Sequence, residues 1–238
     1  MKISLHINGL TTTASYDEAE IETVHKPLLR RLGGLTSAHH RTIVFLSAPP
    51  GTGKSTLTTF WEYLCAQDPA LPELQTLPMD GFHHYNDWLE AHQLRGVKGA
   101  PATYDVDKLA QALARIRRGE GNWPQYDRQR HDPVEDAIAV TAPLVIVEGN
   151  WLLLDDPRWQ AVRQYCDFSI FIRAPQSALT ARLVARKMAG GLSRAQAEDF
   201  FQRTDGPNVV TVLTHSLAAD VTLIMDESGK LSLPGDPQ

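Results

Sequence analysis

The run Ser47-Ala48-Pro49-Pro50-Gly51-Thr52-Gly53-Lys54-Ser55-Thr56 directly follows the apolar stretch Thr42-Ile43-Val44-Phe45-Leu46, and no other feature limits the fold so tightly. A strand turning through a Gly-rich loop into a helix is the setting in which such a run works as a phosphate loop, the Walker A motif. Successive backbone N–H groups of the loop make an anion nest, and the following helix adds the positive end of its dipole. Pro50, Gly51, Thr52, Gly53, Lys54, Ser55 and Thr56 are the expected nucleotide contacts. Lys54 is placed to reach the β- and γ-phosphates and the Ser55 hydroxyl to ligate Mg²⁺. Ala48 stands where the pattern Gly-x-x-x-x-Gly-Lys-Ser/Thr has its first Gly. A methyl there predicts a slightly altered loop entry with the nest intact.

The 238 residues suit one α/β domain with embellishments, or at most two small ones, and the 42% apolar content is enough for a continuous core. A net charge of −5 without a basic run argues against a nucleic-acid surface. Cys65 and Cys166 match no metal spacing and suit a reducing compartment. No apolar run approaches the roughly 20 residues of a membrane span, and the N-terminus lacks the pattern of a signal peptide. The expectation is a cytoplasmic protein with no membrane partner.

Lys2 to Ser15 alternates around Asn8-Gly9 and predicts a β-hairpin. Ile21, Val24, Leu28 and Leu29 have helical spacing, ended by Gly33-Gly34. Past the phosphate loop, Leu74 to Met79 reads as a strand ending at Asp80, and Leu144 to Val147 as one ending at Glu148. Leu144 to Val147, Phe168 to Ile172 and Val221 to Met225 read as strands buried on both faces. Asp107 is the expected cap of a helix bearing Leu109, Leu113 and Ile116. Residues 81–104 show no clean period and read as a long functional loop. Ser193 and Gln196 predict a capping box after the Gly190-Gly191 break. Glu227 to Leu233 reads as a terminal hairpin strand, with the last five residues frayed. Short buried strands alternating with helices give a three-layer α/β/α sandwich around a five-stranded parallel sheet, the P-loop NTPase architecture.

In such sheets ligands sit beyond the carboxyl ends of the strands, where the phosphate loop, Asp80 and Glu148 all fall. Phosphoryl transfer needs cradled phosphates, a held metal and an acceptor hydroxyl beside a carboxylate. Asp80 suits the proton acceptor and Glu148 the organisation of Mg²⁺. As simpler readings, Asp-Gly is a common turn pair and Glu148 could cap a helix.

Pro78-Met79-Asp80-Gly81-Phe82-His83, Lys98-Gly99-Ala100-Pro101-Ala102-Thr103-Tyr104-Asp105, Pro124-Gln125-Tyr126-Asp127 and Val147-Glu148-Gly149 resemble, in order, motifs of bacterial pantothenate kinase and uridine kinase. These belong to the phosphoribulokinase/uridine kinase group of P-loop kinases, and the likeness spans about residues 42 to 226. Over its whole length the chain is similar to a set of enterobacterial kinases of unassigned acceptor. The resemblance implies an ATP- and Mg²⁺-dependent kinase of a small metabolite, with Asp80 as base and Lys54, Ser55 and Glu148 as the ATP–Mg²⁺ set. It also implies that Phe82, Tyr104, Tyr126 and His131 line the acceptor pocket. Arg128 and Arg130, absent from both relatives' pattern, suit an anionic acceptor; alternatively they pair with Asp127 and Asp132 in a solvated loop. His83 and His84 have no partner at metal spacing and read as pocket lining or surface loop.

In related kinases the region of Arg182 and Arg186 is a lid whose arginines close over the transferring phosphate. The lid so implied covers about residues 182–205, and Arg203, Asp205 and Asn208 read as a lid-adjacent acceptor contact. The domain reading is a 1–40 N-terminal hairpin and helix extension followed by a 41–238 kinase domain. Those first forty residues could form a homodimer contact, cover a sheet edge or regulate. A mechanical AAA-like ATPase and a non-catalytic nucleotide sensor are the competing readings; motifs for reading guanine or for an ABC-type ATPase are absent.

Overall fold

The computed structural model describes residues 1–7 and 10–235. The chain opens with the predicted hairpin, β1 (Lys2–Ile7) against β2 (Leu10–Ser15). Its Asn8-Gly9 turn, and most of the C-terminal segment expected to fray, lie outside the described residues. A helix follows in three pieces: α1 (Glu18–Glu20), a π turn (Ile21–His25) and α2 (Lys26–Gly33).

Then come β3 (Thr42–Ser47), α3 (Lys54–Gln67), β4 (Leu74–Pro78), α4 (Asn86–Ala91) and α5 (Val106–Arg117). The middle of the chain holds β5 (Asn122–Asp127), β6 (Asp132–Ala139), β7 (Leu144–Gly149) and α6 (Pro157–Arg163). It closes with β8 (Phe168–Arg173), α7 (Gln176–Ala189), α8 (Arg194–Phe200), α9 (Gly206–His215), β9 (Val221–Met225) and β10 (Leu231–Ser232).

The main sheet has the order β10-β9-β8-β3-β7-β4. Its strands from β9 to β4 pair in parallel, and β10 returns antiparallel on β9, so the expected parallel core and terminal hairpin both form. β3 and β7 are buried at every position, which is why they read as unbroken apolar runs. Helices cover both faces over two apolar clusters. One holds Leu57, Phe60 and Trp61 of α3 and Leu179 and Leu183 of α7, together with Leu5, Val24, Leu29 and Leu32 of the N-terminal segment. The other holds Leu77, Met79, Phe82, Tyr104, Trp123, Trp151 and Trp159.

Three local readings change. Asp105, and not Asp107, caps α5, its carboxylate accepting from the Lys108 N–H at 3.0 Å. Residues 81–104 are not a structureless loop, since they carry α4 and short 3₁₀ turns. β5 and β6 form an antiparallel hairpin outside the main sheet that the sequence pattern did not predict. Its strand signal is broken by Pro124, which sits at an irregularity in the pairing between Trp123 and Gln125.

Tertiary contact supplies what local pattern lacks. The Trp123 indole donates to the Pro78 carbonyl at 2.8 Å. At Gly81 a Cβ would lie 2.3 Å from the Pro124 carbonyl oxygen, so only glycine lets β5 lie this close to the end of β4. The predicted capping box of α8 is present, with the Ser193 hydroxyl and the Gln196 amide each bonding the other's backbone. Both cysteines are free thiols, and burial pushes each up to about 12. Among the described residues no helix is long and apolar enough to cross a membrane.

Candidate active site

The loop between β3 and α3 is held from both sides. Ala48 is fully buried in the first apolar cluster, and its N–H donates to the Gly149 carbonyl at 3.2 Å. It is not among the residues of positive φ, so the missing glycine costs no strain. Gly51 and Gly53 do require it, with φ of 90° and 83°. These turns let the loop wrap its N–H groups toward one point at the start of α3. Thr52 is buried and bonds the Pro49 carbonyl at 3.0 Å, so it shapes the loop from beneath.

Lys54 and Ser55, the first residues of α3, face the ends of β7 and β4. The Lys54 ammonium donates to Asn150 Oδ1 at 2.6 Å and the Ser55 hydroxyl donates to Glu148 Oε1 at 2.7 Å. Enclosure by protein lowers the Lys54 pKa, while the Glu148 and Asp80 carboxylates oppose that shift. Burial raises the Glu148 pKa, and Lys54 pulls it back. Two oppositely charged groups, each disfavoured alone, thus stabilise each other at the cavity floor. β7 lies between β3 and β4, which brings the phosphate loop, Glu148 and Asp80 side by side as expected.

Tyr104 donates to Asp80 Oδ1 at 3.2 Å, and its own pKa is pushed well up by burial and then by Asp80. His83 stacks on Tyr104 at 3.9 Å, with Nδ1 near the Thr103 carbonyl at 3.3 Å. Burial lowers the His83 pKa to about 4, so the ring is neutral at pH 7. Lys98 donates to Asn86 Oδ1 at 2.8 Å and to the His131 carbonyl, and its ammonium lies 5.0 Å from the centre of the Tyr126 ring.

These groups surround a cavity of about 590 Å³. Its lining includes Pro50, Gly51, Gly53, Lys54, Ser55 and Thr56 on one side, and Asp80, His83, Lys98, Tyr104 and Arg128 on the other. Arg182 and Arg186 of α7, Asp205 of the π turn after α8, and Asn208 of α9 complete it. The two arginines of α7 differ in place. Arg182 lies beside Gly53 and reaches Met225 Sδ at 3.7 Å, whereas Arg186 is near enough to Lys54 to lower its pKa.

Several expected acceptor contacts lie elsewhere. Phe82 is buried in the second cluster, edge-on to Trp123 at 4.7 Å, and is a core residue. Tyr126 stands behind His83 and Lys98 and does not line the cavity. His131 is exposed and contributes its carbonyl rather than its ring. Arg130 points outward at 76% exposure and pairs with Asp127 at 3.6 Å, and Arg203 pairs with Asp199. Of the two turn arginines, only Arg128 reaches the cavity.

Asn150, Lys98 and Gly99 are cavity residues to which sequence reasoning gave no role. Asn150 was findable, because it follows Glu148-Gly149 at the carboxyl end of a buried strand. Asp205 has a buried carboxylate oxygen with no partner, and its pKa is raised by burial against the pull of Arg186 and Lys187.

The donor set fits a hard divalent cation. One hydroxyl and one carboxylate oxygen meet 2.7 Å apart beside the phosphate nest, the sparse protein share usual for Mg²⁺ held with phosphates. Among the described residues no cluster of three His, Cys, Asp or Glu could hold a metal without them.

Fold and site together define a P-loop kinase, using ATP and Mg²⁺ to phosphorylate a small-molecule hydroxyl. The chain belongs to the family of YggC of Escherichia coli, an uncharacterised protein to which it is 62% identical over 232 residues, covering 97% of this chain and 98% of that one. A solved structure from Silicibacter sp., ascribed to a fructose transport system kinase, superposes with a TM-score of 0.78 at 31% identity, over 84% of this chain and 98% of the other. Pantothenate kinase of Bacillus velezensis is 30% identical over 200 residues, covering 72% of this chain and 62% of that enzyme. No protein-family model matches the chain.

Proposed function

We propose that the chain transfers the γ-phosphate of ATP to a hydroxyl of a small metabolite that also carries an anionic group. The observation that carries this reading is the cavity, in which Asp80 faces the Lys54–Ser55–Glu148 cluster while Arg128 stands at the rim. Tyr104 bonds one oxygen of Asp80, which fixes the carboxylate and leaves its other oxygen for an acceptor hydroxyl. As the acceptor oxygen bonds to the γ-phosphorus, its proton passes to Asp80 and the bond to the ADP oxygen breaks. Lys54 and Arg186 stabilise charge on the transferring group. Ser55 and Glu148 would hold Mg²⁺, which would supply further neutralisation of the phosphate oxygens. The guanidinium of Arg128 takes the acceptor's carboxylate or phosphate, and Lys98 adds a second positive charge on that side.

The test is ATP turnover screened against pantothenate, nucleosides, sugars and sugar acids, with Asp80→Asn alongside wild type. One anionic acceptor should stimulate turnover strongly, and the variant should lose about 10²–10⁴ in kcat with ATP affinity little changed. Tight ATP binding with no acceptor-dependent turnover would favour a nucleotide sensor instead. Full activity in the variant would remove Asp80 from the reaction.

A further inference from the structure

The N-terminal hairpin has one face that runs beyond the core. Its register pairs Ile3 with Ala14 and Leu5 with Thr12. Cross-strand partners and alternate residues share a face, so Ile3, Leu5, Ile7, Thr12 and Ala14 all lie on the inner side. The outer side carries Lys2, Ser4, His6, Thr11, Thr13 and Ser15. Leu5 is 6% exposed within the first cluster, and Ile3, Ile7 and Ala14 pack against that cluster. The same face then continues over the nucleotide loop, where Ile7 and Thr12 line the cavity together with Pro50, Gly51, Gly53 and Thr56.

The hairpin is fixed in this position. Tyr16, at its base, stacks on Phe60 of α3 at 3.7 Å and 8° between planes. Asp17 lies 3.7 Å from Lys230 of the β9–β10 turn. The Met1 ammonium donates to the Tyr16 carbonyl at 2.7 Å and so closes the hairpin's open end.

Layering decides which substrate meets this wall. Ile7 belongs to the cluster of α3 and α7, whereas Met79, Phe82 and Tyr104, around Asp80, belong to the cluster on the other face of the sheet. A triphosphate with its reactive end at Lys54 and Asp80 extends away from Asp80 over Gly51 to Thr56. It then meets Ile7, Thr12 and Arg182, which sits beside Gly53. A nest of N–H groups and a lysine can hold phosphates, but a base and ribose need an apolar face with a polar group beside it.

We propose that Ile7 and Thr12 form the outer wall for the base and ribose of the bound nucleotide, making the N-terminal hairpin part of the ATP site. This rests on the reading of the phosphate loop as an ATP site. It gives the first residues of the chain a direct part in nucleotide affinity, separate from the acceptor end.

Inorganic tripolyphosphate separates the two ideas, because it has the phosphates without the base. Calorimetric binding of Mg-ATP and of tripolyphosphate is measured for the full chain, for Ile7→Ala and for Thr12→Trp. Ile7→Ala should weaken ATP binding about 5–10-fold, as expected for losing one apolar contact, and leave tripolyphosphate within about twofold. Thr12→Trp, at an exposed position, should change ATP affinity about threefold or more with tripolyphosphate again unmoved. Equal losses for both ligands would mean that the hairpin only supports the loop, and no change in either would mean that the nucleotide does not touch it. Wild type binding tripolyphosphate as tightly as ATP would overturn the wall while keeping the phosphate loop. Failure to bind either would overturn the ATP reading itself.

Discussion

The two ends of the cavity are built in opposite ways. The phosphate cradle of the proposed nucleotide end comes from one unbroken stretch, 48–56, whose working parts are backbone N–H groups, two left-handed glycines and the first residues of a helix. The proposed acceptor end gathers Asp80, His83, Lys98, Tyr104 and Arg128 from four separate segments, each contributing a side chain. Backbone geometry is common to any nucleoside triphosphate, so a contiguous loop can serve unchanged for one invariant ligand. A variable ligand must be read by side chains, and those are positioned only by the packing of distant pieces. The difference teaches where generic chemistry ends and specificity begins in this molecule.

Four experiments test that division. The largest effect is expected from Lys54→Met, which removes the charge at the cavity floor and should lower kcat about 10³-fold with every acceptor tried. An effect that varied between acceptors would blur the two ends. Next, Gly81→Ala puts a methyl against the Pro124 carbonyl and should cost about 2–3 kcal/mol in thermal or denaturant unfolding. The surviving folded enzyme should show a raised acceptor KM and an unchanged ATP Kd, and a weakened ATP Kd would show the ends to be coupled.

Acid should act on the acceptor end through His83. Its pKa of about 4 in the folded chain lies below the ordinary value of 6.5, so the unfolded chain binds the extra proton between those values. The resulting stability is full above about pH 6.5 and is lost as pH falls toward 4, about 2 kcal/mol of it between pH 7 and 5. Unfolding curves of wild type and His83→Gln over that range check the sign, since the variant should lack this part of the slope. The smallest contrast is within one turn. Arg128→Gln should raise the acceptor KM about tenfold, and Arg130→Gln should change it by less than about twofold. Equal effects would contradict the inward and outward placement of the two side chains.

The same division explains how much could be read from the sequence. The parallel sheet was legible because buried strands leave unbroken apolar runs, and the phosphate loop because its chemistry is local. Asp80 and Glu148 followed from their positions at strand ends. The β5–β6 hairpin was not legible, since Pro124 breaks its pattern and its order comes from Gly81 and Trp123 meeting the end of β4. Without that hairpin, sequence could not separate Arg128 from Arg130, nor reveal that Phe82 turns into the core. The Asp107 reading failed by two residues because two aspartates flank the start of α5, and only backbone geometry chooses between them.

The fastening of that hairpin has a consequence for how such a protein could change over generations. Its strands are anchored at Trp123 and Pro124, whereas the tip, residues 128–131, is exposed and bears little of the core. Substitutions there can drift at small cost to folding while altering what stands at the mouth of the cavity. A lineage could therefore acquire a new acceptor by revising one short turn, leaving the inherited ATP machinery untouched.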